Sequence, residues 1–524
     1  MRTVANVVLM LLATTIIAGQ EPRFDAKSYS VSLAIPDTGQ VIHATASVFL
    51  RAFGADTVRL NLADMQVDSV WRWRGYDVLI LVPFRYDGRV LSVATGGKND
   101  VELEIRYHGT PQDGLIIGTN SHGRRVAFGD NWPERARYWI PTLDHPSDKA
   151  QVTFTVTAPR SWRVVANGTN RLSDRWEESH PIPTYTMVIG AGEFSVSKHR
   201  PVINGRDTIP IEVWTYPEDS AYADSVPFRR ATEIVEVMQR LIGPFPYENL
   251  KHVESSTRFG GMENSSAIFY AERPYVDRRM GEGVVRHETS HQWFGDAVTE
   301  RDWPDLWLSE GFATYFDGVI GAALDGDSVL TNAMRANAKA YFASDVTDRP
   351  IVDSANAGEP MKLLNANSYP KGAWVLHMLR GLIGDSAFFQ GLRNYYHTYR
   401  DSNATSADFE HVIEKTSGID LGWFFQQWLH QPGYPQLDVS WQYDAAARRA
   451  LIGITQRQKP AWGLFRLPVV TLELRSAEGA TVRHEIAVTG PEANLRLDVP
   501  FVPTDIRVDP EGKLLLQTTA VVRR

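Results

Sequence analysis

The 524-residue chain contains no cysteine. That excludes disulfides, thiol nucleophiles, thiolate metal sites and a lipid anchor on cysteine, so any metal ion must be held by histidine and carboxylate groups. A basic tract is also missing. The 54 Lys and Arg residues stand against 62 Asp and Glu, a formal net charge of −8, which argues against nucleic acid as a partner. Internal repeats and low-complexity linkers are absent, and no apolar run reaches the length of a bilayer span.

What remains is the composition of an ordinary soluble globular protein, 43% hydrophobic and 22% charged. The chain is too long for one core and is expected to form about three domains. Its first residues, Met1-Arg2-Thr3 and then Val4 to Ala18, read as a secretory signal peptide over 1–19. They offer one cation, an apolar run of about a dozen residues and small residues at Ala18-Gly19. The mature chain is therefore expected to begin near Gln20, to be exported to the periplasm or outside the cell, and to have no stable membrane insertion. An uncleaved anchor is the alternative.

From Tyr29 the apolar residues recur with period two: Tyr29, Val31, Leu33 and Ile35, then Ile42, Ala44, Ala46, Val48 and Leu50, and later Val152, Phe154 and Val156. This alternation predicts an all-β domain of half-buried strands over 20–212. After Tyr216-Pro217 the spacing changes to three and four. Ala231, Ile234, Val237, Met238 and Leu241 predict an amphipathic helix over 228–242, stopped by Gly243-Pro244. Further helices are expected over 283–294, 373–383 and 387–399, and from a Thr405-Ser406 cap to 415, with Pro304 in the first turn of the helix that carries Glu310. Period two returns at Val439, Trp441 and Tyr443 and at Val470, Leu472 and Leu474, predicting a small β-sandwich over 436–524. The fold class expected is thus multidomain α+β, with an α/β domain over 213–435 between two β-rich parts.

His287 and His291, in His287-Glu288-Thr289-Ser290-His291, stand four residues apart, so on a helix both imidazoles lie on one face and can reach one ion. Glu288 points to the side of that pair and can hold a metal-bound water without ligating the metal. A catalytic zinc takes three protein ligands and keeps one position open. Glu310 is the candidate for the third. Eighteen residues separate it from His291, enough for a turn and a second helix alongside the first. H-E-x-x-H alone is a weak signal; the fixed later Glu and the flanking residues make it a strong one.

Gly260-Gly261-Met262-Glu263-Asn264, the H-E-x-x-H run, Glu310 in Trp307-Leu308-Ser309-Glu310-Gly311, and Tyr369-Pro370-Lys371-Gly372 together resemble the gluzincin zinc aminopeptidases, the membrane alanyl aminopeptidase and leukotriene A hydrolase family. That family's pattern is G-x-M-E-N, H-E-x-x-H, eighteen residues and a Glu, then Y-x-K-G, and its parts occur here in order. Asp144-His145-Pro146-Ser147-Asp148-Lys149-Ala150 and Gln431-Pro432-Gly433-Tyr434-Pro435 match as well, and the likeness runs from Tyr29 to Pro435.

The resemblance implies a thermolysin-like catalytic domain with one zinc ion per chain on His287, His291 and Glu310. It implies removal of the N-terminal residue from peptides by attack of a zinc-bound water, with Glu288 moving the proton to the leaving amine. Tyr369 is implied as the phenol that supports the oxyanion. The carboxylate of Glu263 is implied to hold the substrate's ammonium group, and Gly260, Gly261, Met262 and Asn264 to lie along the substrate. The partners implied are peptides with a free N-terminal amine. Many relatives carry a further helical domain that closes over the site. This chain, ending at Arg524, is expected to be a short form without it, with a more open site or one closed by another subunit.

One position departs from the family. Five residues before Arg137, where relatives carry a Glu or Gln that helps bind the amine, stands Trp132, with Asp130 and Glu134 as nearby substitutes. Asp296 is a candidate to orient a zinc-bound histidine from behind, a solvated Asp at a helix end being the alternative. Asn264, Asn167 and Asn403 each head a glycosylation sequon, the first read as coincidence. Two other readings stay open: a thermolysin-like endopeptidase without an amine anchor, and a catalytically inactive peptide-binding protein.

Overall fold

A computed structural model describes residues 24–74, 78–172 and 174–524; the expected signal peptide lies outside the described residues. The alternation from Tyr29 becomes the strand Asp25–Ala34, with Tyr29, Val31 and Leu33 buried and Ser30 and Ser32 exposed. It pairs antiparallel with Ile42–Arg51 and parallel with Lys149–Thr157 inside an eight-stranded sheet. Both partners alternate in the same phase, so their apolar residues form one continuous buried layer. Smaller sheets of four and three strands complete the N-terminal part.

The boundary expected at 212/213 falls inside a strand. Ser195–Asn204 and Asp207–Thr215 pair with each other, and the second runs parallel to Leu250–Ser255 in a five-stranded sheet. Backbone hydrogen bonding therefore joins the residues from Ser195 onward to the sheet of the central domain. Period two reveals a strand and its buried face, not the sheet it enters. At the free edge of this sheet lies the two-residue strand Gly261–Met262, antiparallel to Ala267–Ala271.

Seven helices of ten or more residues follow among the described residues: α1 (Ala231–Leu241), α2 (Glu282–His291), α3 (Trp307–Asp325), α4 (Ser328–Phe342), α5 (Gly372–Ile383), α6 (Asp385–Tyr399) and α7 (Ser406–Ser417). The helix expected over 283–294 ends at His291, because the backbone turns toward Gly295, which sits at φ 122°. α4 gave no sequence signal: only Met334 and Tyr341 of its residues are buried, too sparse a stripe to read. α7 opens with a capping box, in which Thr405 accepts from the Asp408 amide and Asp408 accepts from the Thr405 amide. The C-terminal part starts at Gln436. It stacks a four-stranded sheet that buries Leu437, Val439 and Trp441 with a three-stranded one that buries Val470, Leu472 and Leu474. No helix of the described residues is long and apolar enough to cross a membrane.

The N-terminal part is locked to the central domain by Lys149, whose ammonium donates to the carbonyls of Asp296 (2.8 Å), Ala297 (2.9 Å) and Ser402 (3.1 Å). Those carbonyls follow α2 and precede α7. Lys149→Met leaves all three without this donor and is expected to cost about 1–3 kcal/mol, read as a lower denaturation midpoint. A wild-type midpoint would show that the seam is held by other contacts.

Candidate active site

α2 presents His287 and His291 one turn apart, and the first turn of α3 presents Glu310 opposite them. Glu310 Oε2 lies 3.3 Å from His287 Nε2 and 3.4 Å from His291 Nε2, and the two imidazole nitrogens are 3.1 Å apart. A tetrahedral ion with bonds of about 2.0–2.1 Å spaces its ligands about 3.3 Å apart, so the three separations fit one zinc-sized cation. Glu310 Oε2 is buried without a hydrogen-bond donor, as an oxygen reserved for a cation should be. Burial opposes a charge on His291, yet Glu310 holds its pKa up at about 10. The same histidines keep Glu310 well below the usual carboxylate range despite its burial.

A second cluster of possible ligands, His122, Asp219 and Glu254, has different geometry. There His122 Nε2 stands 2.6 Å from Asp219 Oδ2, and Arg278 takes Asp219 Oδ1 at 2.7 Å. Those are the distances of charge-assisted hydrogen bonds, too short for ligands spread around an ion.

His291 is oriented from behind by Ser309 Oγ, 3.0 Å from its Nδ1, and by the Phe294 carbonyl at 3.2 Å. Asp296, the sequence candidate for that task, is turned elsewhere: its Oδ2 accepts from Gln292 Nε2 at 2.7 Å. Ser309 went unnoticed because a serine one residue before a helical Glu has no pattern of its own.

Tyr369 reaches the same point from a π-helical turn, Asn367–Lys371, that leads into α5. A Cβ on Gly311 would come within 2.9 Å of the Gly372 Cα, so α3 and α5 meet backbone to backbone. This contact brings the Tyr369 hydroxyl to Glu310 Oε1, to which it donates at 2.7 Å, and its ring stacks on His287 with the planes 11° apart. Burial, then the Glu310 charge, pushes the phenol pKa far up, leaving it a neutral proton donor.

Glu263 and Glu288 share with these groups a cavity of about 290 Å³. Burial pushes Glu263 up to about 7 and Glu288 well above the carboxylate range, with His291 only partly offsetting it. A Cβ on Gly261 would fall 2.1 Å from Glu288 Oε1, so glycine alone lets the edge strand pass so close to that carboxyl. Gly260, Gly261 and Met262 line the cavity too. Asn264 does not. It is fully buried outside the lining and turns the chain, its carbonyl accepting from the Ala267 amide.

Gln292, unassigned in the sequence reading, ties these pieces together. Its Nε2 donates to the Glu263 carbonyl at 2.7 Å and its Oε1 accepts from the Ser266 amide at 2.8 Å. From the N-terminal part, Asn167 donates to the Ser265 carbonyl at 2.6 Å and the Gly168 amide to Ser266 Oγ at 2.7 Å. Asn403 is likewise committed, donating to the Pro146 carbonyl at 2.8 Å, so none of the three sequons presents a free, exposed amide.

The two proposed substitutes for an anion at position 132 are also engaged. Asp130 is fully buried against Arg135 (3.1 Å) and Thr257 (3.2 Å). Glu134 bridges Arg137 (2.6 Å) and the Trp303 indole (3.0 Å). Trp132 itself lines the cavity.

Two family descriptions match the chain, the Peptidase M1 N-terminal domain over residues 26–186 and the Peptidase family M1 domain over residues 228–428. The probable aminopeptidase 2 of Sulfurisphaera tokodaii is 30% identical over 415 residues, covering 74% of this chain and 50% of that protein. The tricorn protease-interacting factor F2 of Thermoplasma acidophilum is 28% identical over 408 residues, 73% of this chain and 49% of that one. The glutamyl aminopeptidase of Bos taurus is 27% identical over 357 residues, 63% and 36% of the two chains. The chain spans about half the length of the first two of these relatives. Among solved structures, Legionella pneumophila aminopeptidase A in complex with aspartic acid superposes with a TM-score of 0.78, covering 96% of this chain and 60% of that one at 16% identity, a likeness of fold.

Glu310→Gln keeps the shape of the side chain and removes its charge. It is expected to weaken divalent-cation binding by more than about 100-fold, measured by competition with a chromophoric chelator. An unchanged affinity would remove Glu310 from the ligand set.

Proposed function

The chain belongs to the peptidase M1 family, and from that premise we propose that it is a zinc-dependent aminopeptidase, removing the N-terminal residue from peptides that carry a free amine. The observation that carries this reading is the position of Glu263. Its carboxyl opens into the same cavity as the ligand triad and Glu288, and its backbone is tied to α2 by Gln292. An anion held at a fixed distance from the triad leaves room for one residue before the bond to be broken.

His287, His291 and Glu310 would hold one zinc ion, which when bound supplies Lewis-acid polarisation. The chain's own groups do the rest. Glu263 receives the substrate's ammonium and sets the direction from which the first carbonyl enters. Glu288, confined beneath Gly261, takes a proton from the attacking water and returns it to the leaving amine. Tyr369 shifts its hydrogen bond from Glu310 Oε1 to the carbonyl oxygen as that oxygen becomes anionic. The Gly261–Met262 edge offers backbone groups to an extended peptide. Export, with removal of residues 1–19, belongs to the same proposal and rests on the apolar leader in the sequence.

The test of the reading is cleavage of aminoacyl fluorogenic amides and of one peptide with a free or an acetylated N-terminus, each before and after chelation and zinc restoration. Equal cleavage of both peptide forms would sink the exopeptidase assignment. Glu288→Gln is expected to keep the metal and lose at least about 10³ in kcat; loss of the metal instead would mean its role is misassigned. Tyr369→Phe should lower kcat by about 10²–10³ with little change in KM, and an unchanged kcat would strip it of the oxyanion role. Glu263→Ala should lower kcat/KM for free-amine substrates by about 100-fold. If that ratio holds, another group receives the amine.

A further inference from the structure

The cavity has walls of two kinds. One is anionic, made of Glu263, Glu288 and Glu310; the other is apolar, made of Trp132, Phe259, Met262 and Leu364. The apolar wall is built to stay in place. Trp132 and Phe259 meet edge to face with ring centroids 5.8 Å apart, and Trp303 supports Trp132 in the same manner at 5.5 Å. Trp132 is 2% exposed and Met262 4%.

The cations beside this wall are already paired. Arg135 donates to the Trp132 carbonyl at 2.6 Å and lies over the Phe259 ring at 5.7 Å, while its other nitrogens reach Asp113 (3.0 Å) and Asp130 (3.1 Å). Arg258 is bound to Asp113 at 2.7 Å. His287 and His291 face Glu310. An acidic side chain entering here would lose its water against indole and thioether, face three carboxyl groups, and find no unpaired cation among the described lining residues. With Asp130 and Glu134 engaged elsewhere, the substrate's ammonium falls to Glu263, and position 132 is free to touch the first side chain. A cavity of about 290 Å³ stands at the small end of the usual ligand-pocket range, roughly 300–1,000 Å³, a size suited to one residue.

We propose that this wall selects substrates whose first residue is apolar over those that begin with an acidic one, that Trp132 determines the preference, and that aspartyl and glutamyl termini are rejected. The proposal rests on the aminopeptidase reading above. Aspartic acid in the Legionella aminopeptidase A structure is a property of that protein, whose likeness to this chain is one of fold.

The experiment compares kcat/KM of the zinc-loaded full chain on leucyl, methionyl, phenylalanyl, alanyl, aspartyl and glutamyl amides, and repeats it with Trp132→Ala and Trp132→Phe. The best of the three large apolar amides is expected to exceed both acidic ones by at least about 100-fold. Trp132→Ala is expected to cut the leucyl-to-alanyl ratio about tenfold, with most of that ratio kept by Trp132→Phe. Acidic amides cleaved as well as apolar ones overturn the proposal and leave the aminopeptidase assignment standing. An unchanged leucyl-to-alanyl ratio in a Trp132→Ala protein of wild-type melting temperature and metal content overturns the role of Trp132. Trp132→Leu supplies the same comparison if the alanine variant does not fold. Cleavage of none of the amides by wild type sinks both the assignment and the proposal.

Discussion

Three carboxyl groups and two imidazoles share one cavity from which most water is excluded: Glu263, Glu288 and Glu310 are each no more than 6% exposed. Burial disfavours ionisation here and neighbouring like charges add to it: loss of water is what pushes Glu263 and Glu288 up first, with the Glu310 charge raising both further and Glu263 raising Glu288. On the proposed function, positive charge would relieve the conflict in two places, a dication at the triad and an ammonium at Glu263. The surrounding structure keeps the acidic groups from drifting apart instead. Gln292 pins the Glu263 backbone to α2, Ser309 holds the His291 ring, and the Gly311–Gly372 contact lets α3 and α5 close on one another.

The N-terminal part belongs to this scaffold and is more than a neighbour of it. Asn167 holds the Ser265 carbonyl and the Gly168 amide holds the Ser266 hydroxyl just beyond Glu263, and the Tyr185 hydroxyl donates to the Gly295 carbonyl at 3.2 Å, at the turn after α2. Trp132 comes from the same part and closes one wall of the cavity. The β-rich N-terminal part therefore holds the chain at two places around the site, just beyond Glu263 and at the turn that follows His291.

The helix that carries His287 and His291 was readable because its information is local. His287 and His291 share a face by virtue of a four-residue spacing, and Glu310 follows in the adjacent helix. The β-rich halves were readable for a similar reason, since period two marks a strand with one buried face. What the chain does not carry locally is pairing. Nothing in 195–215 states that these strands join Leu250–Ser255 rather than the N-terminal sheet. α4 escaped because its neighbours cover so little of it. Gln292, Ser309, Asp296 and Asn264 illustrate the same limit at the site: a polar residue's partner is fixed by which backbone the fold brings beside it, and motif spacing does not encode that.

Trp132 shows how such a site can change its substrate while keeping its chemistry. A polar group there would add a second charge-assisted hydrogen bond to the ammonium, worth about 1.5–3 kcal/mol. An indole gives that up and offers apolar surface, and burying one aliphatic or aromatic side chain contributes about 1.5–3 kcal/mol as well. The two are of the same size, so an apolar first residue loses little overall by the exchange, whereas an acidic one loses the hydrogen bond and gains little burial. On the proposed specificity, orientation would rest on a different pair of anchors, the ammonium on Glu263 and the side chain on Trp132, which together would fix where the first carbonyl stands relative to His287, His291 and Glu310.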